Sequence, residues 1–280
     1  MRAAAVQLVS TADRDRNLAQ AEALVRAAAA DGATLVALPE RFDVRGDPAD
    51  YERLAEPLEA GTATSWAGAL ARDLGIDLIA GSTSERRPGH EKLSNTSLHF
   101  GPDGELKALY RKVHLFDVQV GEVEYRESDS DEPGDELVVS EAQDGTRIGL
   151  SVCYDVRFPE LYRILALNGA LVLTVPANFT RTTGEAHWEL LLRARAVENQ
   201  AFVVAPAQAG EYPPGQPAYG NAMIVDPWGE VLARAPGEGE TFVAAELDFE
   251  RLADVRAKLP SLQNRVPGAY RWPAPEEVPA

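Results

Sequence analysis

Apolar and polar positions change rhythm along the chain, and the changes mark its elements. Over residues 3–82 short apolar runs separate longer stretches of helix formers. AAAVQL (3–8) reads as a buried strand and NLAQAEALVRAAAADG (17–32) as a helix closed by Gly32 at a C-cap position. TLVALPE (34–40) reads as a second strand whose ladder Pro39 ends, and a helix over 62–74, capped by Thr62 or Thr64, leads to the strand DLIAGS (77–82). This β-α-β-α-β order implies parallel strands with helices packed on a sheet.

The middle of the chain turns to hairpins. NTSLHF and LKALYRKV flank a turn at Pro102-Asp103-Gly104, and DELVVSEAQ and TRIGLSV flank one at Asp144-Gly145. The alternation then returns with ALVLTV (170–175), a helix over 185–199 and AFVVAPA (201–207). A third hairpin, AMIVDPWGEVLARA, precedes the strand TFVAAELD and a last helix over 249–258. Each half thus runs from β-α-β units into hairpins. Two mixed sheets with helices outside them satisfy both halves, so the expected fold is a single-domain α-β-β-α sandwich over 1–280, with a tail from about residue 266.

Composition narrows the function classes. A formal charge of −17 argues against nucleic acid and anionic membrane surfaces as partners. No run approaches the length a membrane span needs, and the N-terminal MRAAAVQLVS lacks the pattern of a signal peptide. The single cysteine forms no internal disulfide, which fits a reducing compartment; the expected location is the cytoplasm.

That cysteine, Cys153, lies in IGLSVCYDVRFPELYRIL, between an apolar strand and a helix that opens with Pro159 at N1. Strand ends are where open α/β folds place ligands, and a nearby helix N-terminus is expected to favour the thiolate. The backbone N–H of Tyr154 is available to a developing oxyanion. On position alone, a thiol packed in the core fits as well. A nucleophilic thiol needs a base. Four histidines exist, of which His114 (RKVHLFD) and His187 (GEAHWELL) stand in the richer contexts, though both also suit packed imidazoles; His90 and His99 read as loop and strand residues. No closely spaced Cys/His set suggests a metal site. Glu40, after LVALP, and Lys112, after ALYR, offer a carboxylate and an ammonium, but each also reads as an ordinary solvated residue.

Together, LPERF with Glu40, YRKVHLFD with Lys112 and SVCYDVRFPELY with Cys153 resemble the nitrilase superfamily of carbon–nitrogen hydrolases. The resemblance extends through TGEAHWELLLRARAVENQ, VVAPAQ, VDPWGEVLA and LPSLQNRVPGAY, nearly the whole chain. It implies the α-β-β-α sandwich and a Glu-Lys-Cys triad: Glu40 as general base, Lys112 as oxyanion stabiliser and Cys153 as nucleophile. It also implies an auxiliary glutamate, best matched by Glu127, with Glu122 and Glu124 close by. No metal or organic cofactor is implied. Two carboxylates beside one lysine are expected to keep the lysine charged while their repulsion raises one acid's pKa.

CYDVRFPELY, AHWELLLRARA and DPWGEV are most similar to the branch of ω-amidases and deaminated-glutathione amidases. The implied reaction is hydrolysis of the terminal amide of a small carboxylate-bearing substrate to acid plus ammonia through a thioester. The alternatives are an N-carbamoyl, aliphatic-amide or nitrile hydrolase, and a non-catalytic interaction scaffold. A carboxylate needs a cation, for which Arg181 is the candidate, with Tyr154, Asn178 and Phe179 shaping the pocket. Arg157 is expected to fasten the cysteine loop through an acidic partner. The partners implied are a small-molecule amide and a second copy of the chain, as a homodimer or higher homo-oligomer.

Overall fold

The computed structural model describes residues 1–272; the end of the expected tail, 273–280, lies outside the described residues. Two sheets form the centre. In the first, strand Arg2–Leu8 pairs in parallel with Leu35–Ala37, which continues through Asp77–Glu85, Ser94–Phe100 and Leu106–Arg111. The other edge of Arg2–Leu8 takes Thr241–Glu246 antiparallel and, at its end, the short Ala207–Gln208. The second sheet runs Val231–Arg234, Met223–Val225, Phe202–Ala205, Val172–Thr174, Arg147–Leu150 and Val139–Glu141; Val172–Thr174 pairs in parallel with both its neighbours and every other pair is antiparallel.

The period-2 alternation of side chains explains why the first strands are apolar throughout. Ala3, Ala5, Leu35, Ala37 and Ile79 face the second sheet and join Ile148, Val172 and Val203 in one core. Their neighbours Ala4, Val6, Leu8, Val36, Leu38 and Leu78 face outward and are covered by Leu18, Val25, Leu70 and Ala71 of helices Arg14–Ala30 and Thr62–Leu74. Helices Pro159–Leu167 and Arg181–Asn199 cover the second sheet through Leu161, Leu165, Trp188 and Leu192. The order helix, sheet, sheet, helix is the expected sandwich.

Boundaries moved where a cap outranked periodicity. The first helix starts at Arg14, three residues early, because the Asp13 side chain accepts from the Arg16 N–H. The Thr180 hydroxyl accepts from the Thr183 N–H, so that helix begins at Arg181 rather than 185. The cap expected at Thr62 or Thr64 is instead Gly61; Thr62 is the first helical residue and its hydroxyl donates to Glu56. Neither helix Pro48–Leu54, opened by a reciprocal Asp47–Asp50 cap, nor the hairpin of Asp117–Val120 with Val123–Arg126 was anticipated.

Candidate active site

Glu40, Lys112 and Cys153 come from three strand ends and converge on one cavity of about 320 Å³, which Glu127, Tyr154, Asn178 and Phe179 also line. Glu40 follows strand Leu35–Ala37. Its Oε1 accepts from Lys112 Nζ at 3.0 Å and Asn95 Nδ2 at 2.9 Å, and its Oε2 from the Asn178 N–H at 2.9 Å. Lys112 follows strand Leu106–Arg111 and donates a second bond to Glu127 Oε2 at 2.7 Å. Glu127 also accepts from the Phe116 N–H at 2.7 Å and from Asn95 Nδ2 at 3.1 Å. Of the three glutamates in its segment, Glu127 is the one on Lys112; Glu124 also lines the cavity but pairs with the exposed Arg126. Asn95 thus bridges both carboxylates, a role that sequence reasoning missed.

Electrostatics follows from burial. Desolvation alone would push the Lys112 ammonium toward neutrality, but Glu127, Glu40 and Cys153 outweigh it and hold its pKa well above the ordinary value. Desolvation likewise works to raise Glu127, yet Lys112 and Arg41 prevail and hold it below the usual carboxylate range. Glu127 is therefore not an acid raised by repulsion. Burial, then Glu40, drives the Cys153 thiol well above its usual pKa against the pull of Lys112. The resting group is a neutral thiol. This corrects the expectation that a helix N-terminus favours the thiolate, because desolvation inside the cavity is the larger effect. A neutral thiol requires a base at the moment of attack.

The turn that presents the thiol is held by Asp155. Cys153 sits at φ 48, in the left-handed region that a non-glycine residue occupies only when its surroundings enforce it. Its N–H donates to Pro176 O at 2.8 Å. The buried Asp155 carboxylate accepts from the Val152 N–H, the Tyr110 hydroxyl and both the N–H and Nδ1 of His114, all within 3.2 Å. Residues Cys153–Arg157 form a 3₁₀ turn, so the Tyr154 N–H falls where a helix start leaves donors without internal partners.

Arg157 does not fasten this loop through an acid. It lies over the rings of Phe179 and Tyr154 and donates to the His187 ring, because Asp155 is already taken up by Tyr110, His114 and Val152. Arg181 stands apart from the cavity lining. It is the first residue of its helix, its side chain is 46% exposed, its nearest carboxylate is Glu238 at 4.0 Å, and it does not line the cavity, to which Thr180 and Thr183 contribute instead. None of the four histidines lines the cavity. His90 pairs with Glu132, His99 with Asp77, His114 with Asp155, and His187 meets Arg157. Among the described residues no three His, Cys, Asp or Glu side chains form a metal-ligand cluster, and no helix is long and apolar enough to cross a membrane.

Comparison with known proteins identifies the family and the fold. Residues 2–257 match the carbon-nitrogen hydrolase family. A deaminated glutathione amidase of Homo sapiens is 43% identical over 272 residues, covering 95% of this chain and 83% of the relative. An omega-amidase, NIT2, of Xenopus tropicalis is 40% identical over 261 residues, covering 93% of each. The crystal structure of Saccharomyces cerevisiae Nit3, a member of the nitrilase superfamily, superposes with a TM-score of 0.85 at 34% identity, covering 93% of this chain and 94% of that one.

Proposed function

The chain belongs to the carbon-nitrogen hydrolase family, within the nitrilase superfamily, and is an amidase-type hydrolase of non-peptide C–N bonds; from that premise we propose that Cys153, Glu40, Lys112 and Glu127 hydrolyse the ω-amide of a small 2-oxo acid through a thioester. The observation that carries the assignment of roles is the Cys153 thiol sharing one cavity with the Glu40 carboxylate, which is itself hydrogen-bonded to Lys112. Glu40 takes the thiol proton as sulfur bonds to the amide carbon. Lys112 and the Tyr154 N–H hold the oxyanion so formed. The C–N bond breaks as Glu40 returns the proton to the leaving nitrogen. Glu40 then deprotonates a water that attacks the thioester, the acid leaves, and the thiol recovers its proton. Glu127 touches no reacting atom in this scheme; it keeps Lys112 charged and in place.

Two relatives suggest two forms of the substrate. An unsubstituted ω-amide yields ammonia, whereas the amide nitrogen of deaminated glutathione belongs to its cysteine residue, so that substrate yields an amine in place of ammonia. A homodimer in the cytoplasm belongs to the same proposal. Its support is the apolar exposure of Ile164, Leu167, Leu190 and Val197 on the two outer helices, and the lone cysteine. The test is product release from 2-oxoglutaramate, succinamate and deaminated glutathione, assayed for both ammonia and primary amine, with Cys153→Ala alongside. Wild-type release that falls by about 10⁴-fold or more in the variant is expected. Equal release by both proteins would end the thioester assignment.

A further inference from the structure

Four cations line the cavity, and three are already paired. Lys112 is held by Glu40 and Glu127, Arg41 by Asp131 at 2.6 Å, and Arg126 by Glu124 at 2.7 Å. The fourth, Arg45, is 2% exposed and has no carboxylate partner among the described residues. The other two buried arginines, Arg41 and Arg195, each pair with an acid. Arg45 donates only to backbone carbonyls: Nη1 to Ala209 at 2.9 Å, and Nη2 to Gln216 at 2.9 Å and Gly210 at 3.5 Å. Its Nε–H meets no acceptor among the described residues and is not closed off by protein atoms.

A buried guanidinium without a counter-ion is costly, and chains keep one where an anion will arrive. Burial pulls the Arg45 pKa down to about 10, with a small opposing effect from Tyr51, so the group is charged at neutral pH. The carbonyls of Ala209, Gly210 and Gln216 fix its plane, as a preorganised anion site requires.

We propose that Arg45 is the anion-holding residue of this cavity and takes a substrate carboxylate remote from the scissile amide. This rests on the reading of the protein as an amidase of carboxylate-bearing amides and names the group that recognises them. It replaces Arg181, which lies outside the cavity, as the specificity-determining cation.

The competing role for Arg45 is to tie down the loop 209–216, and the experiment must separate the two. Cys153 is alkylated with acrylamide, and the concentrations of glutarate and of its neutral counterpart glutaramide that halve the labelling rate are measured. Both ligands have the same length, and the ratio is taken within each protein, so intrinsic labelling rates cancel. Charge-assisted hydrogen bonds are strong enough that Arg45→Gln is expected to raise the glutarate concentration about 10- to 100-fold and shift glutaramide less than about twofold. Arg45→Lys, which keeps the charge and loses the fork, is expected to fall between, and it carries the test if the Gln variant does not fold. An equal shift for both ligands, an unchanged glutarate value, or no glutarate protection in wild type would each overturn the proposal. The readout needs no turnover. Failure of wild type to hydrolyse any carboxylate-bearing amide would count against the amidase reading, while loss of charge selectivity in the protection assay alone would count against Arg45.

Discussion

At one end of the first sheet, His99 links Asp77 to Ser140. Its Nε2 lies 3.1 Å from Asp77 Oδ1 and its Nδ1 2.7 Å from Ser140 Oγ, and Asp77 Oδ2 accepts from the Gln143 N–H. At the opposite end, beyond the carboxyl ends of the parallel strands, stand Glu40, Lys112, Glu127 and Cys153. By residue type alone the first set is a serine, a histidine and an aspartate, the more familiar catalytic trio. It lies between the two sheets, joins strand Val139–Glu141 to strands Asp77–Glu85 and Ser94–Phe100, and none of its members lines the cavity. Both clusters are buried and well hydrogen-bonded. The difference is that one opens on a cavity beside its reactive atom and no member of the other does. Geometry, not composition, assigns the chemistry.

The comparison breaks hardest at Lys112. Lys112→Met leaves the Glu40 and Glu127 carboxylates buried together with no ammonium between them. Removing one partner of a buried pair costs about 3–5 kcal/mol of stability. Loss of an oxyanion donor lowers kcat by about 10²- to 10³-fold. Urea unfolding and steady-state rates measure the two losses separately. Adding Glu127→Gln removes the excess negative charge and is expected to restore much of the stability without restoring the rate. Recovery of both would reduce Lys112 to a structural counter-ion.

The reach of sequence reasoning follows the same division. Glu40, Lys112, Glu127 and Cys153 were legible only because the phrases that hold them resemble a known family, each being ambiguous by itself, whereas the strands were legible because both faces of the first sheet are apolar. Asn95 was not, since it lies near the start of a strand with no motif around it and meets Glu40 and Glu127 across 55 and 32 residues of chain. Arg45 has partners more than 160 residues away, and all of them are carbonyls, which carry no side-chain signature. Arg181 was put forward because it follows a strand end, which says nothing about the face of the helix it starts. The hairpin Asp117–Arg126 did carry a signal: Val118, Val120, Val123 and Tyr125 alternate around Gly121, which takes φ 60. The Asp47–Asp50 cap was written in GDPAD, but a helix of seven residues offers too little periodicity to read.

Ser140 sharpens the comparison from its sealed side. Ser140→Ala leaves one nitrogen of His99 buried without a partner, at a cost of about 1–3 kcal/mol. The rate on any amide is expected to stay within about twofold of wild type, because no step of the reaction reaches this cluster. A Cys153→Ala-sized loss of activity would show that the Asp77–His99–Ser140 set does chemistry of its own.

The smallest effect concerns the thiol and pH. Because the folded protein holds the Cys153 pKa well above its ordinary value, the unfolded chain releases that proton first as pH rises. The contribution to stability is fully present below about pH 8.5, where a free thiol stays protonated, and is lost as pH climbs toward the folded value. The slope for one proton is about 1.4 kcal/mol per pH unit. Wild type is therefore expected to lose about 1 kcal/mol more than Cys153→Ala between pH 8 and 9.5, read from paired urea melts kept below the range where lysines titrate. Parallel melts would mean that the thiol already ionises in the folded protein as readily as in the unfolded chain. In that case Glu40 would not be needed to deprotonate it, and the active cluster would differ from the sealed one by a preformed thiolate as well as by the space beside it.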